Sequence, residues 1–254
     1  APVPFPRPLD EEIIANLAAA ITPRTRIAVI DHITSSSALV IPLERMIEAC
    51  HARGVPVLVD GAHGPGHVAL DLAALNADWY AGNCHKWLNA PKGAGFLWAR
   101  ADRQQDLHPV IISHGYNKGF LAEFDGTGTR DHSARLSVPA AIDFHLALGG
   151  PALRARNAAL AAEAAAMLAG RLGTETGTGN APSGAMAMVR LPIARALAAA
   201  DVQALRGRFL DAGTDVPLHP HNGAAWLRIS AQAYNDMDDY ERLAGIAQRI
   251  CGSG

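Results

Sequence analysis

The chain has 254 residues, 49% hydrophobic and 18% charged, with a formal net charge of −2, and is long enough to bury a sizeable core. That balance excludes the basic field of a nucleic-acid binder and a polybasic membrane patch, and no apolar run approaches the ~20 residues needed to span a bilayer. Cys50, Cys84 and Cys251 are odd in number and widely spaced, which indicates neither a disulfide framework nor a zinc motif and makes a reducing cytoplasm the expected compartment.

The first eight residues, Ala1-Pro2-Val3-Pro4-Phe5-Pro6-Arg7-Pro8, read as an extended proline linker rather than a signal peptide, so the chain is expected to lack an earlier portion. Leu9-Asp10-Glu11-Glu12 opens a helix with acids in its first turn, where the helix dipole favours them, running to Ile21 before Thr22-Pro23. Arg26 to His32 predicts a short buried strand with a polar end. Pro42 starts a helix that runs through Arg53 and closes at Gly54. Further strands are expected at Val55–Asp60, Asp78–Gly82 and Ala94–Ala99. Apolar strands alternating with helices predict an α/β layer with a mainly parallel sheet. Chemistry in such sheets collects at the carboxyl ends of strands, where Ser35, Asp60 and Lys86 fall.

The texture changes near residue 145. Ala152 to Leu172 is alanine-rich, with Leu153, Leu160, Met167 and Leu168 on one helical stripe, a pattern of core packing. A Gly/Thr/Ser/Pro loop is expected from Thr174 to Gly184, a strand from Met186 to Leu191, and a helix from Ala194 to Ala212. A strand at Ala225–Ser230 and a helix from Met237 to Ile250 complete a smaller α+β unit. The domain reading is therefore residues 1–145 and 146–254.

Only three lysines occur among 22 basic residues, Lys86, Lys92 and Lys118. A lysine amine can form a Schiff base, whereas a guanidinium stays protonated and is a poor nucleophile. Lys86 follows a strand in Gly82-Asn83-Cys84-His85-Lys86-Trp87-Leu88, and its apolar, aromatic setting destabilises the ammonium form. Asp60 ends the preceding strand in Asp60-Gly61-Ala62-His63-Gly64-Pro65-Gly66. A carboxylate there suits a protonated pyridine nitrogen, and His63 is placed to lie against the same ring. Metal binding by His63 and His67 is the weaker reading, because Gly64-Pro65-Gly66 interrupts the helix that an i,i+4 ligand pair needs; a metal hydrolase using His32, His63 and His67 ranks last.

Val57-Leu58-Val59-Asp60-Gly61-Ala62-His63-Gly64-Pro65-Gly66, followed by Gly82-Asn83-Cys84-His85-Lys86-Trp87-Leu88-Asn89-Ala90-Pro91-Lys92-Gly93, resembles the class V aminotransferase-fold pyridoxal-phosphate enzymes, in the isopenicillin N epimerase-like branch. The resemblance implies the fold type I architecture of aspartate aminotransferase: a partial large, cofactor-binding domain over 1–145 and a small C-terminal domain over 146–254. It implies pyridoxal 5′-phosphate as cofactor, a small amino acid as substrate, and a homodimer; the composition, not the resemblance, argues for no nucleic acid or membrane partner. By resemblance Lys86 is the Schiff-base lysine and proton shuttle, Asp60 the pyridine-nitrogen partner, and His63 a cofactor contact. Ser35 falls at a polar contact to the ring hydroxyl, while Asn83 and His85 flank the lysine in the cofactor-binding set. Thr129, in Gly126-Thr127-Gly128-Thr129-Arg130-Asp131, falls in a loop that reaches the neighbour's phosphate across the dimer. Arg228, in Leu227-Arg228-Ile229-Ser230, resembles the substrate-carboxylate arginine, whose planar fork suits bidentate recognition.

Two departures from the family pattern shape the expectations. The small-residue phosphate loop and the ring-stacking residue of the family's front portion have no counterpart here, so a missing N-terminal portion or a partner chain is expected to complete the phosphate site. No cysteine stands before Arg228, where Leu218-His219-Pro220-His221-Asn222-Gly223 is found, and Cys84 is expected to pack in the core, which disfavours persulfide-forming desulfuration. Epimerisation, C–S elimination and transamination all remain open, as does the identity of the amino acid. The alternative reading is a non-catalytic remnant, or one half of a split enzyme.

Overall fold

The computed structural model describes residues 3, 5, 6, 9–178 and 184–252. Most of the expected proline linker, and residues 179–183 of the expected loop after Thr174, lie outside them. In chain order the elements are α1 (Asp10–Ala20), β1 (Ala28–Asp31), α2 (Leu43–His51), β2 (Val57–Gly61), α3 (Leu72–Leu75), β3 (Trp79–Asn83), β4 (Gly95–Ala99), α4 (Phe120–Asp125), α5 (Ser133–Leu136), α6 (Val138–Ala147), α7 (Pro151–Leu172), β5 (Met186–Arg190), α8 (Ala199–Asp211), β6 (Leu218–His221), β7 (Ala224–Ser230) and α9 (Met237–Gly252). No single described helix is long and apolar enough to cross a membrane. The chain divides into two compact units, one of Ala18–His32 and Pro42–His145, the other of Ala1–Leu17, Ile33–Ile41 and Leu146–Gly254.

The first unit is built on a four-stranded sheet in the order β1-β2-β3-β4. β1, β2 and β3 run parallel, with Asp31 opposite Asp60 and Asp60 opposite Ala81. β4 returns antiparallel to β3, pairing Asn83 with Gly95. Apolar side chains at alternate positions of β2, Val57 and Val59, are fully buried, as a strand covered on one face requires. α2 buries Leu43, Met46, Ile47 and Cys50, the spacing of one helical face, and packs on β2.

The second unit carries a three-stranded antiparallel sheet, β5-β7-β6, with α7 and α8 packed against its strands and α9 packed against both helices. The alanine-rich stripe of α7 is core as expected: Leu160, Ala161, Ala164, Ala165 and Leu168 are buried in one cluster with Val189, Leu227, Phe209 and Tyr240. Small residues let the helix axis approach the sheet closely, and each fully buried leucine contributes roughly 1.5–3 kcal/mol.

Two local expectations are corrected. The helix expected from Ala194 begins at Ala199; Ala198 is extended, and its N–H donates to the Asp201 carboxylate at 2.9 Å, which starts the helix there. β6, absent from the expectations, occupies the Leu218–His221 segment. Pro220 is tolerated because β6 is an edge strand.

Candidate active site

Lys86 sits on the turn between β3 and β4. The antiparallel return of β4 ties that turn with hydrogen bonds. Cys84 N–H donates to the Ala94 carbonyl at 3.0 Å and Ala90 N–H to the Cys84 carbonyl at 3.1 Å. His85 Nδ1–H donates to the same Ala94 carbonyl at 2.9 Å. Asn83, half-buried, ends β3 on one side of this turn. Cys84 is buried with Ala90, Ala94 and Ala141, and burial pushes its thiol pKa up, the opposite of what a thiolate nucleophile needs.

Asp60 lies at the end of β2, exposed, with Oδ1 accepting the Ala62 N–H at 3.0 Å. Its turn delivers His63 to the lysine: Lys86 Nζ lies 3.2 Å from His63 Nε2. The other ring nitrogen of His63, Nδ1, accepts the Trp87 indole N–H at 3.2 Å. An indole nitrogen can only donate, so a neutral His63 carries its proton on Nε2, the atom facing Lys86. Trp87 is buried, and its ring packs on His67 at 4.0 Å between centroids. His67 Nδ1–H donates to the His63 carbonyl at 3.1 Å. Burial, with smaller contributions from His63 and His32, pushes its pKa down to about 3, so it stays uncharged at neutral pH.

The glycines of this turn are required by their neighbours. Gly66 has φ +78°, and a Cβ there would lie 2.8 Å from the Trp87 carbonyl carbon and oxygen. Such close backbone approach leaves room only for glycine. On the other side Tyr80, fully buried, donates or accepts at His32 Nδ1 over 2.9 Å. Burial, then Asp60, raises the Tyr80 pKa, and burial lowers that of His32; the pair stays neutral.

In the second unit, Arg228 and Ser35 meet. Arg228 Nη1 donates to the Ser35 carbonyl and to Ser35 Oγ, the latter at 3.3 Å. Arg228 Nε is buried with no hydrogen-bond partner. Beside it on β6, His219 is pushed down to about 4 by burial and then by the Arg228 charge. Thr129 lies exposed on the loop between α4 and α5, and among the described residues no hydrogen bond joins it to the other candidates.

The aminotransferase class-V family model matches residues 8–243. The chain belongs to the aminotransferase class-V family. Isopenicillin N epimerase of Amycolatopsis lactamdurans is 39% identical over 94% of this chain and 64% of its own length. L-cysteine desulfhydrase of Arabidopsis thaliana is 32% identical over 95% of this chain and 59% of its own. The chain thus spans less than two thirds of the length of these relatives. A cysteine desulfurase from Escherichia coli has the same fold, with a TM-score of 0.73 at 21% identity, covering 94% of this chain and 62% of that one. The fold, partial here, is the type I fold of pyridoxal-phosphate proteins, and the class-V family is one of pyridoxal-phosphate enzymes.

The donor set fits that cofactor. Lys86 offers an amine whose 3.2 Å neighbour is an imidazole, Asp60 an accessible carboxylate on the adjacent strand end, and His63 a planar ring on the same turn. In the sequence Trp87 is only part of the apolar, aromatic setting of Lys86, and its bond to His63 is not legible there. One signal was available: a buried indole seeks an acceptor, and His63 and His67 are the turn's imidazoles. Even so, Trp79 and Trp226 leave buried indole nitrogens without hydrogen-bond partners, so the rule alone does not select Trp87.

Proposed function

We propose that this chain is part of a pyridoxal-phosphate enzyme acting at the α-carbon of an amino acid, with isopenicillin N epimerase-like epimerisation, C–S lysis or transamination as its chemistry. The observation that supports this reading above the others is the 3.2 Å approach of Lys86 Nζ to His63 Nε2 on neighbouring strand-end turns. When bound, pyridoxal phosphate supplies an electron-poor ring that takes up the electron pair left at the α-carbon. Lys86 Nζ holds the cofactor and moves the α-proton. The Asp60 carboxylate keeps the pyridine nitrogen protonated, and His63 contacts the ring. Ser35, Asn83 and His85 are proposed as further polar contacts to the cofactor, and Thr129 as one reaching a partner copy in a homodimer.

Arg228 is proposed to bind the substrate carboxylate. Its guanidinium is partly desolvated, and its Nε is buried without a hydrogen-bond partner, which favours exchange of the Ser35 contact for a carboxylate. The relatives' names divide between an epimerase and a desulfhydrase. Both chemistries begin with loss of the α-proton, so Lys86 serves either. A cytoplasmic setting and a small amino-acid substrate complete the proposal.

The test is borohydride trapping. Purified chain incubated with pyridoxal phosphate and then reduced should carry one pyridoxyl group on the peptide containing Lys86, read by mass spectrometry, and Lys86→Ala should carry none there. Absence of the group at saturating cofactor defeats the proposal for this chain alone. Trapping at Lys92 or Lys118 instead defeats the assignment of Lys86.

A further inference from the structure

Lys86 and His63 form a pair in which the usual roles conflict. A lysine ammonium has three donors and no acceptor. If His63 carries its proton on Nε2, an ammonium at 3.2 Å would set donor against donor. The bond becomes favourable when Lys86 is a neutral amine whose lone pair accepts the Nε2–H. What decides between these states is the other end of the imidazole. Trp87 Nε1–H occupies Nδ1, which removes the tautomer with Nδ1 protonated and opposes the doubly protonated ring. We infer that Trp87 is a positioning residue: its indole N–H locks His63 in the Nε2–H tautomer and thereby raises the share of Lys86 that is neutral, nucleophilic amine before any cofactor binds.

The surroundings keep this lock in place. His67 packs on the Trp87 ring and bonds the His63 carbonyl, and Gly66 lets the Trp87 backbone come close. His67 and His32 are both held neutral by burial, and the exposed Asp60, three residues before His63, accepts the Ala62 N–H. Only a neutral amine can attack a carbonyl carbon, so the device matters wherever the incoming partner of Lys86 is an aldehyde.

The test uses the full chain without cofactor, labelled with 15N-histidine. The His63 resonances, assigned by their loss in His63→Gln, should show the Nε2–H tautomer in the wild type and an exchange-averaged mixture in Trp87→Phe. In parallel, competitive acetylation by acetic anhydride, followed by mass spectrometry across pH, should give Lys86 an apparent pKa at least about one unit below the ordinary ~10.4. Labelling at pH 8 should fall about tenfold in Trp87→Phe, one unit of pKa being tenfold in free amine. A wild-type His63 protonated on Nδ1, or a folded Trp87→Phe with the wild-type acetylation profile, overturns the inference. If Trp87→Phe does not fold, the wild-type tautomer and profile still decide: an ordinary Lys86 pKa overturns it. The inference rests on Lys86 as the reactive amine of the proposed function, but the two fail separately. A depressed Lys86 pKa without cofactor trapping sinks the proposed function alone, and trapping with an ordinary pKa sinks this one alone.

Discussion

The Tyr80 hydroxyl lies 2.9 Å from His32 Nδ1 and occupies the place where a Cβ on Gly64 would stand, 2.0 Å away. Strand β3 thus sets the shape of the turn after β2 from below, with the tyrosine as the spacer. Removing the hydroxyl in Tyr80→Phe should cost about 1–2 kcal/mol, a part-buried hydrogen bond. Gly64→Ala should cost about 2–3 kcal/mol through overpacking. Because the obstacle in the second variant is the atom deleted in the first, the double variant should be less destabilised than the sum by about 1 kcal/mol. Urea unfolding of the four chains measures this. Strict additivity would mean that Tyr80 is not what excludes a side chain at Gly64.

Asp31 and Asp60 stand side by side in the parallel register of β1 and β2. Burial, then the Asp60 charge, raises the Asp31 pKa. A raised folded-state value means the native state prefers protonated Asp31. The associated stability is fully present below the unfolded value of about 4 and is lost as pH rises through the folded value. At pH 7 the charged Asp31 is therefore a small net cost. Asp31→Asn should stabilise the chain at pH 7 by several tenths of a kcal/mol, modest because the residue is solvent-exposed. The gain should vanish below about pH 4. Unfolding midpoints at the two pH values check the sign, and a loss of stability at pH 7 would refute it.

Asp78 presents the opposite case. Its side chain is fully buried, and both oxygens are taken. Oδ2 accepts Val57 N–H at 2.7 Å and His51 Nε2–H at 2.8 Å; Oδ1 accepts Arg103 Nε–H at 2.7 Å and Arg100 Nη2–H at 3.0 Å. Burial pushes the carboxyl up, but these donors together outweigh it and hold its pKa below the ordinary value. A depressed value gives stability that is present above the unfolded pKa and lost as pH falls through the folded one. Asp78→Asn turns one acceptor into a donor among donors and should cost about 3–5 kcal/mol at pH 7, with the gap to wild type narrowing in acid. A pH-independent difference would show that Asp78 acts by shape alone.

What could be read from the sequence follows from how local each cause is. Val55–Asp60 and Asp78–Gly82 announce apolar strands by composition, and a polar residue closing such a strand is placed at the sheet's carboxyl edge whatever lies beyond it. Asp60 and the Lys86 turn were legible for that reason. The Trp87–His63 bond was not, because it depends on two turns from different strands meeting at a specified angle. The antiparallel sense of β4 was hidden as well: Gly95–Ala99 has the same apolar texture in either direction, and only the short Cys84–Ala94 connection forces the return. The start of α8 was obscured by Ala194–Ala200, where alanine and arginine extend a helical pattern that Asp201 ends by capping from inside.

The hairpin between β6 and β7 carried a stronger signal than the strand it closes. His221 pairs with Ala224, which leaves Asn222-Gly223 as a two-residue loop with φ +50° and +72°. Asn-Gly is the favoured pair for a turn with both central residues left-handed, yet Pro220 argues against a strand before it unless that strand lies at an edge. A Cβ at Gly223 would meet only Ala196 Cβ, at an ordinary 3.7 Å, so substitution there tests backbone conformation without a clash. Gly223→Ala should destabilise by about 1–2 kcal/mol, the cost of the left-handed region for an L-residue. Gly223→Asn should lose distinctly less, since asparagine tolerates that region. Both are read from urea midpoints at unchanged m-value. Equal losses would point instead to the Leu197 N–H bond to the Gly223 carbonyl, which any side chain at 223 would disturb alike, as what keeps this turn in register.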